Sequence, residues 1–341
     1  MPPGPDFGSG LNVNQQNVAN TLTNFFNTTG GIPLAFGALT PAGLTQVSGE
    51  SATGAQQTTF QAMSQFLGLL TDPFMGRGSG FGGATSPTGY AEEGDQASAY
   101  AARKTDAFAM FTKAPLAKVY EPRWSVWVAG FGGSQSTSGN AVTGSNDTTS
   151  RIAGTAVGAD YLLSPNTLVG FALAGGGTSF GVNTLGSGRS DLFQAGAYVR
   201  HTNGPAYITA ALAYGWQDVT TNRTVNIAGL DQLRAEFNAN AWSGIRTDKS
   251  FAMSNGVLTL RSRLAWAHEF DPNRAVGATF HALPGASFVV NGAAQASESA
   301  LTTASVEMKW TNGWSAAATF EGEFSNVTQS YAGKGVVRYA W

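Results

Sequence analysis

Residues 301–310, LTTASVEMKW, put Ala304, Val306, Met308 and Trp310 on one face of an extended chain and Thr303, Ser305, Glu307 and Lys309 on the other. A period of two is the side-chain repeat of a β-strand, because successive side chains leave the pleat on opposite sides. Residues 314–324 repeat it, with Trp314, Ala316, Ala318, Phe320 and Phe324 set against Ser315, Ala317, Thr319, Glu321 and Glu323. Upstream, residues 205–218 set Ile208, Ala210, Leu212, Tyr214 and Trp216 against Thr209, Ala211, Ala213, Gly215 and Gln217. Downstream, Tyr331, Val337, Tyr339 and Trp341 alternate with Lys334 and Arg338. The pattern begins at Trp124 and reads as about twelve antiparallel strands. Ser164-Pro165-Asn166, Asn203-Gly204-Pro205 and Thr311-Asn312-Gly313 are turns by their chemistry. The polar stretches 135–148, 181–188, 221–232 and 271–276 read as longer loops. Short and long connections therefore alternate, as in a closed up-and-down barrel. Between 275 and 297, Pro284-Gly285 is a candidate turn between two short strands.

Such alternation serves a soluble sandwich with its apolar face inward, or a membrane barrel with its apolar face outward. Three features favour the second. Aromatic residues gather near strand ends, as Trp124, Tyr161, Trp216, Trp266, Trp310, Trp314 and Trp341, where a membrane interface would place them. The opposite face is lined by small residues, including Gly154, Ala156, Gly158, Gly170, Ala172, Ala174 and Gly176. Strand charges keep to that face as well: Arg200, Glu236 and Glu269, Lys309, and the candidate lumen-lining set Arg246, Arg261, Arg263, Glu307, Glu321, Glu323, Lys334 and Arg338. The fold expected is an all-β transmembrane barrel with an N-terminal α-helical segment.

Helical spacing marks residues 11–27, ended by Gly30-Gly31, and a broken run from Thr40-Pro41 to Leu70, with Gly49 and Gly54 as its interruptions and Asp72-Pro73 as its stop. Residues 75–90 form a Gly/Ser/Thr linker, and the alanine-rich stretch 92–113 is a further helix, slim enough to stand inside a lumen lined by Gly and Ala. The reading divides the chain into 1–90, a helical and glycine-rich passenger remnant with linker; 91–121, a plug helix with linker; and 122–341, the barrel.

Composition narrows the function. With 19 Lys+Arg against 21 Asp+Glu the net charge is −2, which offers nothing to a nucleic acid. No cysteine and three scattered histidines, His201, His268 and His281, give no metal centre or cofactor site. No apolar run reaches the roughly 18 residues of a spanning helix, and MPPGPDFGSG shows no signal peptide. A mean hydropathy of −0.08 suits a barrel, whose lipid-facing and lumen-facing residues average out.

The segment 122–341 resembles the autotransporter β-domain, the C-terminal translocator of type V secretion. The likeness rests on YEPRWSVWVAGFGG, VGADYLLSPNTLVGFALA, LRSRLAWAHEF, LPGASFVVNGA and the terminal VVRYAW, in that order. Residues 41–70, which open PAGLTQVSGESATGAQQTTFQAMSQFL, are similar to the stretch that precedes many such barrels. The resemblance implies a twelve-stranded outer-membrane barrel of Gram-negative bacteria with both barrel termini periplasmic. It also implies a helix through the pore to an N-terminal passenger, and support of that passenger's export to the cell surface. Helix 92–113 is the expected plug, with 55–70 the runner-up because Phe60, Met63, Phe66 and Leu67 are bulky. Val337, Tyr339 and Trp341 match the signal read by the barrel-assembly machinery. The partners implied are outer-membrane lipid, that machinery and the chain's own passenger, with a monomeric barrel. The chain departs from the family pattern in showing no signal peptide and little passenger, which reads as the translocator part of a longer protein or a truncated frame.

Other functions fare worse. An intrabarrel hydrolase needs a histidine with a polar or acidic partner in the lumen, and none of the three has a defensible partner spacing. Self-cleavage of a linker would draw on Asn238, Asn240, Glu307 and Glu321, which read more simply as a hydrated network. A small porin-like channel would need an open lumen. GFGG at 130–133 and GGG at 175–177 precede no helix and cradle no phosphate. The chain is expected not to be an enzyme.

Overall fold

The structure is a computed structural model that describes residues 4–71, 123–203, 206–222 and 240–341. Among the described residues four helices come first: α1 (Val13–Thr29), α2 (Leu34–Gly37), α3 (Pro41–Val47) and α4 (Ser51–Thr71). Asn12 caps α1 reciprocally, accepting from the Gln15 N–H while the Gln15 side chain accepts from the Asn12 N–H. Gly30 ends the helix at φ 79°, its N–H donating to the Phe26 carbonyl. Thr40 caps α3 through the Gly43 N–H, with Pro41 in the first turn. Gly49, also at positive φ, separates α3 from α4. Gly54 does not interrupt the run as expected. It lies inside α4, where a Cβ would stand 2.4 Å from the Phe180 ring.

Twelve strands follow: β1 (Trp124–Thr137), β2 (Thr148–Ser164), β3 (Thr167–Val182), β4 (Gly186–Asn203), β5 (Ala206–Asn222), β6 (Asn240–Met253), β7 (Gly256–Glu269), β8 (Ala275–Thr279), β9 (Ser287–Asn291), β10 (Glu298–Trp310), β11 (Trp314–Phe324) and β12 (Thr328–Ala340). Ten of them form one antiparallel sheet in the order β5-β4-β3-β2-β1-β12-β11-β10-β7-β6. The remaining two, β8 and β9, pair only with each other. They turn at Pro284-Gly285, where Gly285 has φ 86° and the Phe280 N–H donates to the Ala286 carbonyl. The first and last strands of the sheet, β1 and β12, pair from Ser125↔Ala340 to Thr137↔Thr328. Backbone bonds between Trp124 and Trp341 extend that seam. β5 and β6 stand at the two ends of the order and follow each other in the chain.

One end of this wall carries Trp124, Trp341 and the connections 165–166, 254–255 and 311–313; it is called the terminal end below. The other, the loop end, carries 138–147, 183–185, 270–297 and 325–327. The stretch 181–188, expected to be a long loop, is mostly strand, and only 183–185 connect β3 to β4, with Thr184 at φ 62°.

The polarity of the wall is inverted. In β1, Val126 and Val128 are exposed, and Trp127 and Ala129, which alternate with them, are buried. In β5, Ile208, Leu212, Tyr214 and Trp216 all face outward and are exposed, Leu212 to 81%. Trp124 packs on Tyr161, Trp314 on Tyr339 and Tyr339 on Trp341, so aromatic pairs ring the terminal end. Charges missed by the sequence reading also lie on the outward parity, among them Arg151, Arg189, Asp191 and Asp218, all exposed. All four sit on strand segments near the loop end, where a lipid-facing charge costs only about 0–1 kcal/mol.

Leu212→Lys should cost about 2–4 kcal/mol of barrel stability, as for a cation near the midplane. Thr209→Glu, facing inward beside Arg200 in register, should fold normally. The folded yield after refolding into vesicles, read from heat-modifiable gel migration, separates the two. Equal yields would contradict the inverted polarity.

Candidate functional site

The inner face of the wall holds α4. Ser51–Thr58 lie at the loop end, where Gly54 meets Phe180 and the Gln57 side-chain amide donates to Thr137 Oγ1 at 3.3 Å. Further in, Ser150 Oγ donates to Gln61 Oε1 at 2.7 Å, and Thr59 Oγ1 to Gln217 Oε1 at 2.5 Å. Deeper still, Met63 lies against Gly215, and Phe66 and Leu70 lie against Gly196. A Cβ at Gly196 would stand 2.6 Å from Leu70 and 3.0 Å from Phe66, so the missing side chain is what seats the helix. Ala62, Phe66, Leu69 and Leu70 share a core with Trp127, Phe131, Ile152, Leu168, Leu192 and Tyr198 of the wall. These six wall residues face inward, although apolar residues were expected to face out. The stretch 92–113, the expected plug, lies outside the described residues. The runner-up 55–70 falls within α4, and its bulky residues pack on the inner wall and under Arg274, whose guanidinium lies 4.9 Å from the Phe60 ring.

The lumen opposite α4 is charged. Arg261 pairs with Glu307 at 2.7 Å, and Lys309 approaches Glu307 at 3.8 Å. Glu321 receives Lys334 at 2.8 Å and Arg263 at 3.6 Å, and Arg263 also donates to Thr303 Oγ1. Glu323 accepts from Ser299 Oγ at 2.6 Å. Arg246 stands opposite Arg263 in the register of β6 and β7. Toward the terminal end, buried Asp160 gathers Ser125 Oγ, Trp127 Nε1, the Tyr198 hydroxyl and Arg338, the last at 3.3 Å. Arg338 also donates to Ser125 Oγ. This network fastens β2 and β12 across β1, so it staples the seam from inside. Val337 and Tyr339 stand opposite Val128 and Val126 on the outward face, with Trp341 exposed at the rim.

The histidines stay apart from this network. His268 Nδ1 lies 2.8 Å from Glu298 Oε1 between Trp266 and Phe270, on the outward parity. His201 Nδ1 pairs with Thr167 Oγ1 at 2.9 Å beside a terminal-end connection, and His281 is exposed in the β8–β9 turn. Among the described residues no group of three or more His, Cys, Asp or Glu could hold a metal. Sequence reasoning also missed Glu50, buried between α3 and α4 at the loop end. It accepts from the Asn146 N–H at 2.5 Å and its amide at 2.7 Å. Burial pushes its carboxyl above the usual range, partly offset by those two bonds.

A rolled wall of inverted polarity, stapled first strand to last and holding a helix, is the architecture a family comparison must match. The family model described as Autotransporter beta-domain matches residues 126–244 and 243–321, more than half of the chain. The chain belongs to the autotransporter β-domain family. It is an outer-membrane translocator barrel that exports a passenger attached N-terminally, and α4 packs against the inner face of its wall. The translocator domain of autotransporter NalP from Neisseria meningitidis is similar at 14% identity, over 64% of this chain and 88% of that one, with a TM-score of 0.41. The β-domain of the Bordetella autotransporter BrkA is similar at 13% identity, over 64% and 100%, with a TM-score of 0.41. The transport unit of AIDA-I from Escherichia coli gives 12% identity over 68% and 94%, with a TM-score of 0.39. No curated protein sequence matches.

Gly54→Val forces a side chain into the Phe180 ring and should weaken docking of α4 by about 1–3 kcal/mol. Hydrogen exchange should quicken in α4 amides and stay unchanged in the wall. Unchanged α4 exchange would show that the helix is not held by this contact.

Proposed function

We propose that α4 is the stem that ties an exported segment to its barrel, with the loop end outside the cell and the terminal end in the periplasm. The direction of α4 carries the reading: its N-terminus lies at the loop end and its C-terminal half lies deep in the lumen. Everything before Ser51 therefore emerges at the loop end. On this reading residues 1–50 are the exported part, 51–71 the stem and 123–341 the barrel.

The same reading assigns the surroundings. Outer-membrane lipid meets the exposed apolar face, and the aromatic pairs at the terminal end sit at the inner interface. Val337, Tyr339 and Trp341 offer the barrel-assembly machinery an aromatic terminus with alternate apolar positions. The β1–β12 seam lies within one chain, which supports a monomeric wall. The lumen carboxylates are engaged by Arg, Lys, Ser or Trp, which supports a structural role and a translocator without catalysis. The apolar seat of α4 favours a plugged lumen over a porin-like one.

The absence of native cysteine makes the orientation directly testable. Asn27→Cys in α1 and Thr311→Cys at the terminal end are both exposed positions. On intact cells displaying the protein, an impermeant maleimide should label the first and not the second. The reverse pattern would overturn the orientation. Removal of Trp341 should slow assembly several-fold while leaving the gel migration of the inserted barrel unchanged; assembly at the normal rate would count against the terminal signal.

A further inference from the structure

We propose that the β8–β9 hairpin, projecting from the wall between β7 and β10, is the folding platform for residues 1–50. The two make one cooperative body that neither forms alone. Calling residues 1–50 exported rests on the reading above; the coupling itself does not.

The core of this body is divided between the partners. Val18, Leu22, Phe36, Leu44 and Val47 come from the helices, and Val276, Phe280, Leu283, Phe288 and Val290 from the hairpin segment. Phe280 joins the halves, its ring 5.3 Å from Phe36 and 5.0 Å from Phe288. A segment of roughly 50 residues without disulfides is marginal as an independent fold. An isolated two-stranded hairpin is no better placed in water. Each supplies the other's missing layer.

Recognition between them is specific as well as apolar. The free edge of β9 presents backbone groups that would invite another strand. Helix α1 covers them with side chains. Asn14 Nδ2 donates to the Asn291 carbonyl at 2.8 Å, and its Oδ1 accepts the Asn291 N–H at 2.9 Å, so one amide imitates a neighbouring strand. Asn17 Nδ2 donates to the Val289 carbonyl at 2.9 Å and Thr21 Oγ1 to the Ser287 carbonyl at 3.2 Å. Steps of three and four along the helix thus match steps of two along the strand, running in opposite directions. Two amide N–H groups at the start of α1, those of Val13 and Asn14, donate to Val142 and Thr143 of the 138–147 loop.

The hairpin is anchored independently of α1. The Gly292 N–H donates to the Arg274 carbonyl at 2.7 Å, closing its base, and Arg274 stacks on Phe60 of α4. Thr53 of α4 occupies the space a Cβ at Gly292 would need. The platform is therefore fixed to wall and stem, and the chain that emerges first meets an edge shaped for it.

Hydrogen exchange with mass spectrometry on the full chain refolded in detergent micelles tests this. In Leu283→Ser/Val290→Ser, amides of residues 13–47 should exchange at least tenfold faster, with wall amides unchanged. In Asn14→Leu, which keeps the shape but leaves Asn291 unpaired, α1 and β9 should both exchange several-fold faster. That variant lies outside the wall and decides the matter if the double variant fails to fold. Protection of residues 13–47 at the wild-type level in either variant would overturn the platform. Failure of Asn27→Cys labelling with this coupling intact would overturn only the orientation.

Discussion

Hydrocarbon offers no partner to an unpaired backbone N–H or C=O, and each such group left there costs several kcal/mol. A sheet in that medium has to satisfy its own edges. In this chain every neighbouring pair in the wall but two is joined by a local connection. β7 with β10 is bridged by the hairpin segment, and β1 with β12 spans the whole domain. The seam is therefore the pairing with the greatest loop-closure entropy against it. It is also the one reinforced by side chains from within, through Asp160, Ser125 and Arg338. Once the wall rolls, the inverted polarity follows: valine, leucine and the large aromatics turn to the solvent that suits them, and charge turns to the axis.

The axis is furnished unevenly. Small residues on β4 and β5 make a trough for α4, and large ones on β1 to β3 pack beside it. The side built by β7, β10, β11 and β12 carries Arg261, Arg263, Glu307, Glu321 and Lys334 in mutual pairs. Lys334 stands where the two halves meet. Its ammonium bonds Glu321, and a Cβ at Gly68 of α4 would lie 2.7 Å from it. Breaking one member of a buried pair generally costs more than the pair itself contributes, so the charged side resists piecemeal change. The other side holds its helix by fit to the glycines and by side-chain hydrogen bonds of Gln57, Thr59 and Gln61.

The wall was legible from sequence because a period of two survives over a dozen segments, and its inversion was legible because Glu307, Lys309, Glu321 and Arg338 share one parity. What escaped depended on partners distant in the chain. Trp127, Phe131 and Ile152 face inward only because α4 is there to cover them, and no local pattern announces that. The bulk of Phe66 and Met63 spoke against 55–70 as a lumen helix until Gly196 and Gly215 supplied the matching space. Glycines near 54 and 181–188 read as breaks, yet Gly54 is a packing requirement and the second stretch is strand. Pro284-Gly285 did signal the hairpin turn. Nothing in the sequence signalled that Asn14, Asn17 and Thr21 would cover its edge, since their spacing is meaningful only beside β9.

The inner staple has a bearing on protein synthesis. Ser125 and Arg338 are 213 residues apart, and Arg338 lies in β12, the strand synthesised after all the others of the wall. A chain that stops early lacks both the final strand and the guanidinium that Asp160 awaits, so it is left with a bare edge and a buried carboxylate without its counter-ion. Completion of the wall thereby waits on β12: until that strand is made, β1 lacks its partner and Asp160 its cation.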